Sequence, residues 1–185
     1  MIDVNELRKG VTFTMDGDLY KVLDYLHHKP GRGKATIRTT LRNLRTGTTR
    51  QHNFISGDRV EDIRIERRPV QYLYNDGDMY YFMDKDTYEQ TTIHKSILEE
   101  QIPYLKENLE LILSMYDKEP IDIELPITVE MKVIEAEPAV AGNTATGALK
   151  KVKLETGLEI QVPLFIEVGD AIRVDTRTDE YVTRV

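Results

Sequence analysis

His27-His28-Lys29-Pro30-Gly31-Arg32-Gly33-Lys34 separates two runs with strand character, Leu19 to Leu26 and Ala35 to Leu44. Proline fixes its own φ and carries no N–H, and glycine tolerates φ > 0, so Pro30-Gly31-Arg32-Gly33 is built to turn a chain back on itself. Out, turn and back is a long β-hairpin. Its end holds Lys29, Arg32 and Lys34 and no carboxylate. At about 3.3 Å per strand residue, Arg32 reaches roughly 20 Å beyond Tyr25. From the loop alone, a solvated surface turn and an arm reaching for something anionic or narrow are both open.

Working outward, two further hairpins flank the first. Val11–Met15 and Leu19–Tyr25 bracket Asp16-Gly17-Asp18, and Ala35–Leu44 and Thr48–Phe54 bracket Arg45-Thr46-Gly47. Lys34-Ala35-Thr36-Ile37-Arg38 partly alternates, which buries one face and leaves the other basic. Several short strands with tight turns in about 60 residues predict a small barrel. So small a core is expected to lean on a neighbour. Ser56–Asp62 reads as a polar excursion, and the first boundary falls near residue 64. Arg64, Arg67 and Arg68 either extend the basic surface or blunt an edge strand.

The charge distribution says more than the total. The net charge is −7, yet residues 1–64 hold 12 Lys/Arg against 8 Asp/Glu, a balance of +4, while residues 65–185 hold 13 against 24, a balance of −11. Between 21 and 50 stand Lys21, Lys29, Arg32, Lys34, Arg38, Arg42, Arg45 and Arg50, with Asp24 the one acid. One end is suited to phosphates, and the rest is repelled from them. Arg38, Arg42, Arg45 and Arg50 are therefore candidate RNA-facing residues.

A length of 185 residues, 40% hydrophobic and 31% charged, suits one to two ordinary globular domains or three small ones. Nothing approaches the roughly 18 uncharged apolar residues of a membrane span. The start, Met1-Ile2-Asp3-Val4-Asn5-Glu6, does not have the form of a secretory signal, and cysteine is absent. A cytoplasmic protein without membrane contact is expected.

Val70–Tyr74, Asn75-Asp76-Gly77-Asp78 and Met79–Met83 form a strong hairpin signal. Tyr72, Tyr74, Tyr80 and Phe82 suggest either a base-stacking face or a core. Asp76, Asp78, Asp84 and Asp86 around them favour the core. Apolar residues at 97, 98, 102, 105, 109, 112 and 113 recur at helical spacing and are interrupted by Pro103. They predict a short turn and a helix over about 104–115, plugging a barrel. Val129, Met131 and Val133 alternate with Glu130, Lys132 and Ile134 and open a third unit near residue 127. Strands follow at Val152–Leu154, Leu158–Val162 and Ala171–Asp175, after a small-residue loop over 140–148 that is expected to be mobile. The organisation is 1–64, 65–127 and 128–185.

Catalytic signals are weak. There is no cysteine nucleophile, and the histidines at 27, 28, 52 and 94 lack the spacing of a metal site, so neither metal nor cofactor is expected. Gly31-Arg32-Gly33-Lys34-Ala35 is a partial match to a phosphate loop, but His28 stands where that motif needs glycine and Ala35 where it needs Ser or Thr.

The run Pro163-Leu164-Phe165-Ile166-Glu167-Val168-Gly169-Asp170-Ala171-Ile172-Arg173-Val174-Asp175-Thr176-Arg177-Thr178-Asp179-Glu180-Tyr181 closely resembles the signature of bacterial translation elongation factor P. The resemblance spans the chain, through Lys29-Pro30-Gly31-Arg32-Gly33, Asn43-Leu44, Thr46-Gly47, Phe54, Tyr72-Leu73-Tyr74, Phe82-Met83-Asp84, Thr87-Tyr88-Glu89-Gln90 and Leu154-Glu155-Thr156-Gly157. It implies an all-β fold of three small barrels, a KOW/SH3-like domain and two OB-folds, in an L-shaped, tRNA-like arrangement. It implies a monomeric, non-enzymatic translation factor in the ribosome between the peptidyl and exit sites. There the tip loop Lys29, Pro30, Gly31, Arg32, Gly33 and Lys34 contacts the CCA end of peptidyl-tRNA, promoting peptide bond formation and relieving stalls at consecutive prolines. Arg32 stands where many relatives carry a β-lysylated lysine and others an arginine, some of them rhamnosylated. It is thus a candidate modification site for an arginine-modifying enzyme, with use of the bare side chain equally open. Two positions depart from the family pattern: Asp179, where glycine is usual, and the loop over 142–153. An elongation-factor-P-like paralogue and a free-standing OB-fold RNA-binding protein are the alternatives.

Overall fold

The computed structural model describes residues 1–139 and 147–185. Three antiparallel sheets follow one another along the chain, each curled around its own apolar core. The units expected at 1–64, 65–127 and 128–185 each contain one of them.

The first sheet comprises β1 (Ile2–Asp3), β2 (Thr12–Met15), β3 (Asp18–His28), β4 (Thr36–Asn43), β5 (Thr49–Ile55) and β6 (Arg59–Asp62), in the order β1-β6-β2-β3-β4-β5. Met15 pairs with Asp18 across a two-residue turn in which Asp16 and Gly17 have φ of 56° and 82°. This left-handed pair matches the natural twist of a hairpin. Phe13, Val22, Ile37, Leu41 and Phe54 fill the core. The stretch expected as a polar excursion contains β6, which pairs with both β1 and β2. Within β6 only Val60 is buried, and one inward residue is too few to produce an alternation signal.

The second sheet comprises β7 (Glu66–Asn75), β8 (Met79–Asp84), β9 (Gln90–His94), β10 (Glu110–Tyr116) and β11 (Glu119–Glu124), in the order β11-β10-β7-β8-β9. Tyr72, Tyr80 and Phe82 lie in its core, whereas Tyr74 is half exposed and stacks on Tyr81 with ring centroids 4.5 Å apart. The helix expected over 104–115 is not there. A single helical turn, α1 (Lys95–Leu98), and a 3-10 turn at Ile102–Tyr104 carry the helical part of the pattern, and Glu110–Tyr116 is a strand between β7 and β11. Leu111, Leu113 and Met115 point inward at a spacing of two. Asn108 (φ 65°) separates them from the helical turns. Over so few residues the two periodicities overlap, and pairing on both edges settles the choice.

The third sheet comprises β12 (Thr128–Ala136), β13 (Leu149–Leu154), β14 (Glu159–Pro163), β15 (Ala171–Asp175) and β16 (Glu180–Arg184), in the order β14-β13-β12-β15-β16. Val129, Met131 and Val133 enter the core and Ile134 faces out. The small-residue loop lies mostly outside the described residues. The stretch over 142–153 is described from Gly147, and Leu149 onward is strand β13.

Candidate nucleic-acid interface

The arm emerges from the first sheet by continuation of two of its strands. β3 runs 11 residues and pairs with β4 from Tyr20 opposite Asn43 to His28 opposite Thr36, with the register shifting between Val22 and Asp24. Below that bulge Val22 and Leu41 are fully buried. From Asp24 to Lys34 every residue is exposed. Opposite this exposed edge β4 still sends Ile37 and Thr39 into the core, so the β3 side opens to solvent first and only the row of His28 and Thr36 and the tip beyond it extend past the last core residues. Gly33 turns the tip with φ of 106°, a conformation that a side-chain-bearing residue adopts only with strain. A Cβ on Gly33 would meet nothing within 4 Å, so the demand is conformational and not steric. Among the described residues no carboxylate pairs with Lys29, Arg32 or Lys34. Their charges remain available at the end of the arm.

The four arginines do not form one face. Arg38 and Arg50 are exposed, on opposite faces of the β4–β5 ribbon. Arg50 lies 4.6 Å from the Tyr20 ring centroid. Arg42 shares the outward face of β4 with Arg38, yet it is only 9% exposed and donates to Glu100 Oε1 at 2.8 Å. Arg45 forks onto the Glu119 carboxylate at 3.1 to 3.3 Å and donates to the Gly17 carbonyl at 2.9 Å. Lys21 is bonded to Asp122, whose other oxygen accepts from the Gln101 amide at 3.2 Å. Arg42 and Arg45 are thus engaged by carboxylates of the second sheet's unit and do not belong to the free basic surface.

Those pairs surround an apolar contact, in which Leu19, Leu44 and Ile121 form a buried cluster flanked by Ile63, Ile65 and Tyr116. The first barrel leans on its neighbour, as its small core demands. Asn43 shapes the turn that makes the contact, its side-chain oxygen accepting from the N–H groups of Arg45 (2.9 Å) and Thr46 (3.1 Å). At the other junction Tyr104 belongs to the core of the third barrel, and Thr156 Oγ1 donates to the Pro103 carbonyl at 2.6 Å.

Comparison with known proteins gives the family. "Elongation factor P (EF-P) KOW-like domain" matches residues 3–60, "Elongation factor P (EF-P) OB domain" residues 65–123, and "Elongation factor P, C-terminal" residues 129–184. Elongation factor P of Moorella thermoacetica is 52% identical over 184 residues, covering 100% of both chains. The chain belongs to the elongation factor P family. Elongation factor P of Alkaliphilus metalliredigens is 50% identical, again over 100% of both chains. Among solved structures, eukaryotic translation initiation factor 5A from Methanococcus jannaschii aligns with a TM-score of 0.51 and 26% identity, over 67% of this chain and 91% of its own. The architecture is accordingly all-β, a KOW-like barrel followed by OB-type barrels.

Within this elongation factor P chain, the residues that join the first two barrels are not legible as such in the sequence. Lys21 reads as one more strand cation and Asn43 as the edge of a hairpin turn. Their part appears only when the second barrel is in place. Tyr104 was hidden in the segment expected as helix, and no spacing rule assigns a tyrosine to the core of the following domain.

Proposed function

We propose that this translation factor binds the ribosome between the peptidyl and exit sites and stimulates peptide bond formation by positioning peptidyl-tRNA, above all at consecutive prolines. In this reading the tip loop, Lys29 to Lys34, meets the CCA end, and an L-shaped, tRNA-like arrangement of the barrels sets its reach. The protein supplies no acid, base or nucleophile. It holds the reacting RNA in geometry, which lowers the barrier through orientation. One observation carries the reading: the β3 side of the hairpin is exposed from Asp24 onward, and its tip ends in three cations that no carboxylate engages among the described residues. The acidic balance of residues 65–185 disfavours the free-standing RNA-binding alternative, since carboxylates repel phosphates.

Arg32 is the residue proposed to act, bare or modified. A bare guanidinium already presents a planar fork to phosphate or base edges. In reconstituted translation of a tri-proline peptide, Arg32→Ala is expected to slow synthesis on the order of tenfold while the fold is unchanged. Full rescue by that variant overturns the reading. Intact-mass measurement of the native protein shows whether Arg32 carries a sugar.

A further inference from the structure

The outward face of the ribbon, between the tip and the junction, forms a platform that the proposed function does not use. Strand register places Leu26, Arg38 and Asn53 in one row across β3, β4 and β5, and Asp24, Thr40 and Gln51 in the next. These side chains border a depression of about 210 Å³. The inward face is accounted for by Ile37, Thr39 and Phe54, which are buried. The lower end of the outward face is covered, since Arg42 and Lys21 there are held by Glu100 and Asp122. The upper end is open. Leu26 is 61% exposed and Ile55, one row toward the tip, is 51% exposed. Among the described residues no hydrogen bond or ion pair engages the side chains of Arg38, Gln51 or Asn53.

We propose that this platform holds an unpaired adenine of the RNA that the arm enters, stacked against Arg38 and read by Asn53 and Gln51. The proposal rests on the engagement of RNA argued above and names a nucleotide for it. A carboxamide offers a donor and an acceptor side by side, which matches the N6 amine and N7 of adenine. Residues i and i+2 of one strand lie on the same face roughly 7 Å apart, about the width of a base. Arg38 stands directly opposite Asn53, within side-chain reach, and its planar guanidinium is a stacking surface. Leu26 and Ile55 provide the apolar borders that a base face covers. Asp24 closes the lower edge, where its carboxylate accepts from the Tyr25 N–H at 2.9 Å and repels a phosphate. The sugar-phosphate chain must therefore leave toward the tip, where Lys29 and Lys34 stand. Only single-stranded RNA presents a base in this way, because paired bases stay in their stack.

The test is titration of the isotope-labelled full chain with the tetranucleotides rA4, rC4 and rU4 at low salt, followed through the side-chain amide signals of Gln51 and Asn53. The expected result is displacement of both signals by rA4 at a Kd about fivefold or more below those for rC4 and rU4. The Gln51→Ala/Asn53→Ala double variant brings the three Kd values together, and Arg38→Ala weakens all three alike. These side chains are exposed, and the variants' own amide spectra verify their folding. Equal binding of the three tetranucleotides, a preference that survives the double variant, shifts confined to other surfaces, or no shift at millimolar RNA each overturns the proposal. The tri-proline experiment on Arg32 reads a different residue by a different signal, so either idea can fall while the other stands.

Discussion

Gly47 of the first barrel packs directly on the main chain of Ser96 in the second: a Cβ built on Gly47 would lie 2.2 Å from the Ser96 carbonyl oxygen and 2.7 Å from its carbon. No side chain fits there. The Thr46-Gly47 turn is therefore a fitted part of the interdomain joint, whatever else the hairpin asks of it.

Gly47→Ala is expected to destabilise the protein more than Gly57→Ala. Both glycines have positive φ, 74° and 101°, so both substitutions carry a conformational cost of about 1 kcal/mol. At Gly57 a Cβ meets nothing, whereas at Gly47 it meets backbone that cannot step aside cheaply. Urea unfolding should show a further loss of about 2 kcal/mol for the Gly47 variant. Equal losses would mean that the barrels separate easily.

Asp122 ties the two barrels by accepting from Lys21 and from the Gln101 amide (3.2 Å), and it also accepts from the Ile123 N–H at 2.9 Å. Its side chain is only 9% exposed. Asp122→Ala leaves a half-buried ammonium and an amide without their acceptor, and is expected to cost about 2 kcal/mol in denaturant unfolding. Removing Glu110, whose pair with Lys85 is solvent-facing, serves as the control and should cost well under 1 kcal/mol.

Asp179 holds its turn in the left-handed region at φ 59°, the conformation for which glycine is best suited. Its N–H still donates to the Asp175 carbonyl at 3.0 Å. Aspartate tolerates this conformation better than most residues, but at a cost. Asp179→Gly should raise stability by up to about 1 kcal/mol, offset in part by the greater freedom of glycine in the unfolded chain. Calorimetry measures the balance, and a clear loss on substitution would contradict the assignment of strain.

In the same turn, the Asp175 carboxyl is held well below its ordinary 3.8, at about 2, first by the Arg177 side chain at 2.7 Å and then by the Arg177 N–H. A depressed carboxyl pKa contributes stability above its unfolded value of about 4 that is lost as pH falls toward 2. Carbon-13 titration should place Asp175 at about 2, and Arg177→Ala should move it up. A midpoint near 4 in the parent chain would show that the pair does not form.

Some of this was readable from the chain alone. Pro30-Gly31-Arg32-Gly33 between β-prone runs, and Asp16-Gly17 and Asn75-Asp76-Gly77-Asp78 elsewhere, specify hairpins because turn chemistry is local: the residues that must adopt the special φ are the ones that announce it. The inward sets Val129, Met131, Val133 and Tyr72, Tyr80, Phe82 are legible for the same reason, since strand alternation is a property of neighbours. The Asp117-Lys118 turn, with φ of 44° and 69° and no glycine, gave no such notice. Without it, the apolar spacing over 104–115 is equally that of a helix, although Glu110–Tyr116 is a strand.

Sequence alone determined the family and the turn that ends in Lys29, Arg32 and Lys34, because each depends on residues near one another in the chain. Only the tertiary structure decided which arginines are free. Arg38 and Arg42 lie four residues apart on the same face of β4 and differ in nothing local, yet one remains open and the other is covered by Glu100. A charge's role depends on what stands opposite it, and that partner arrives from 58 residues away.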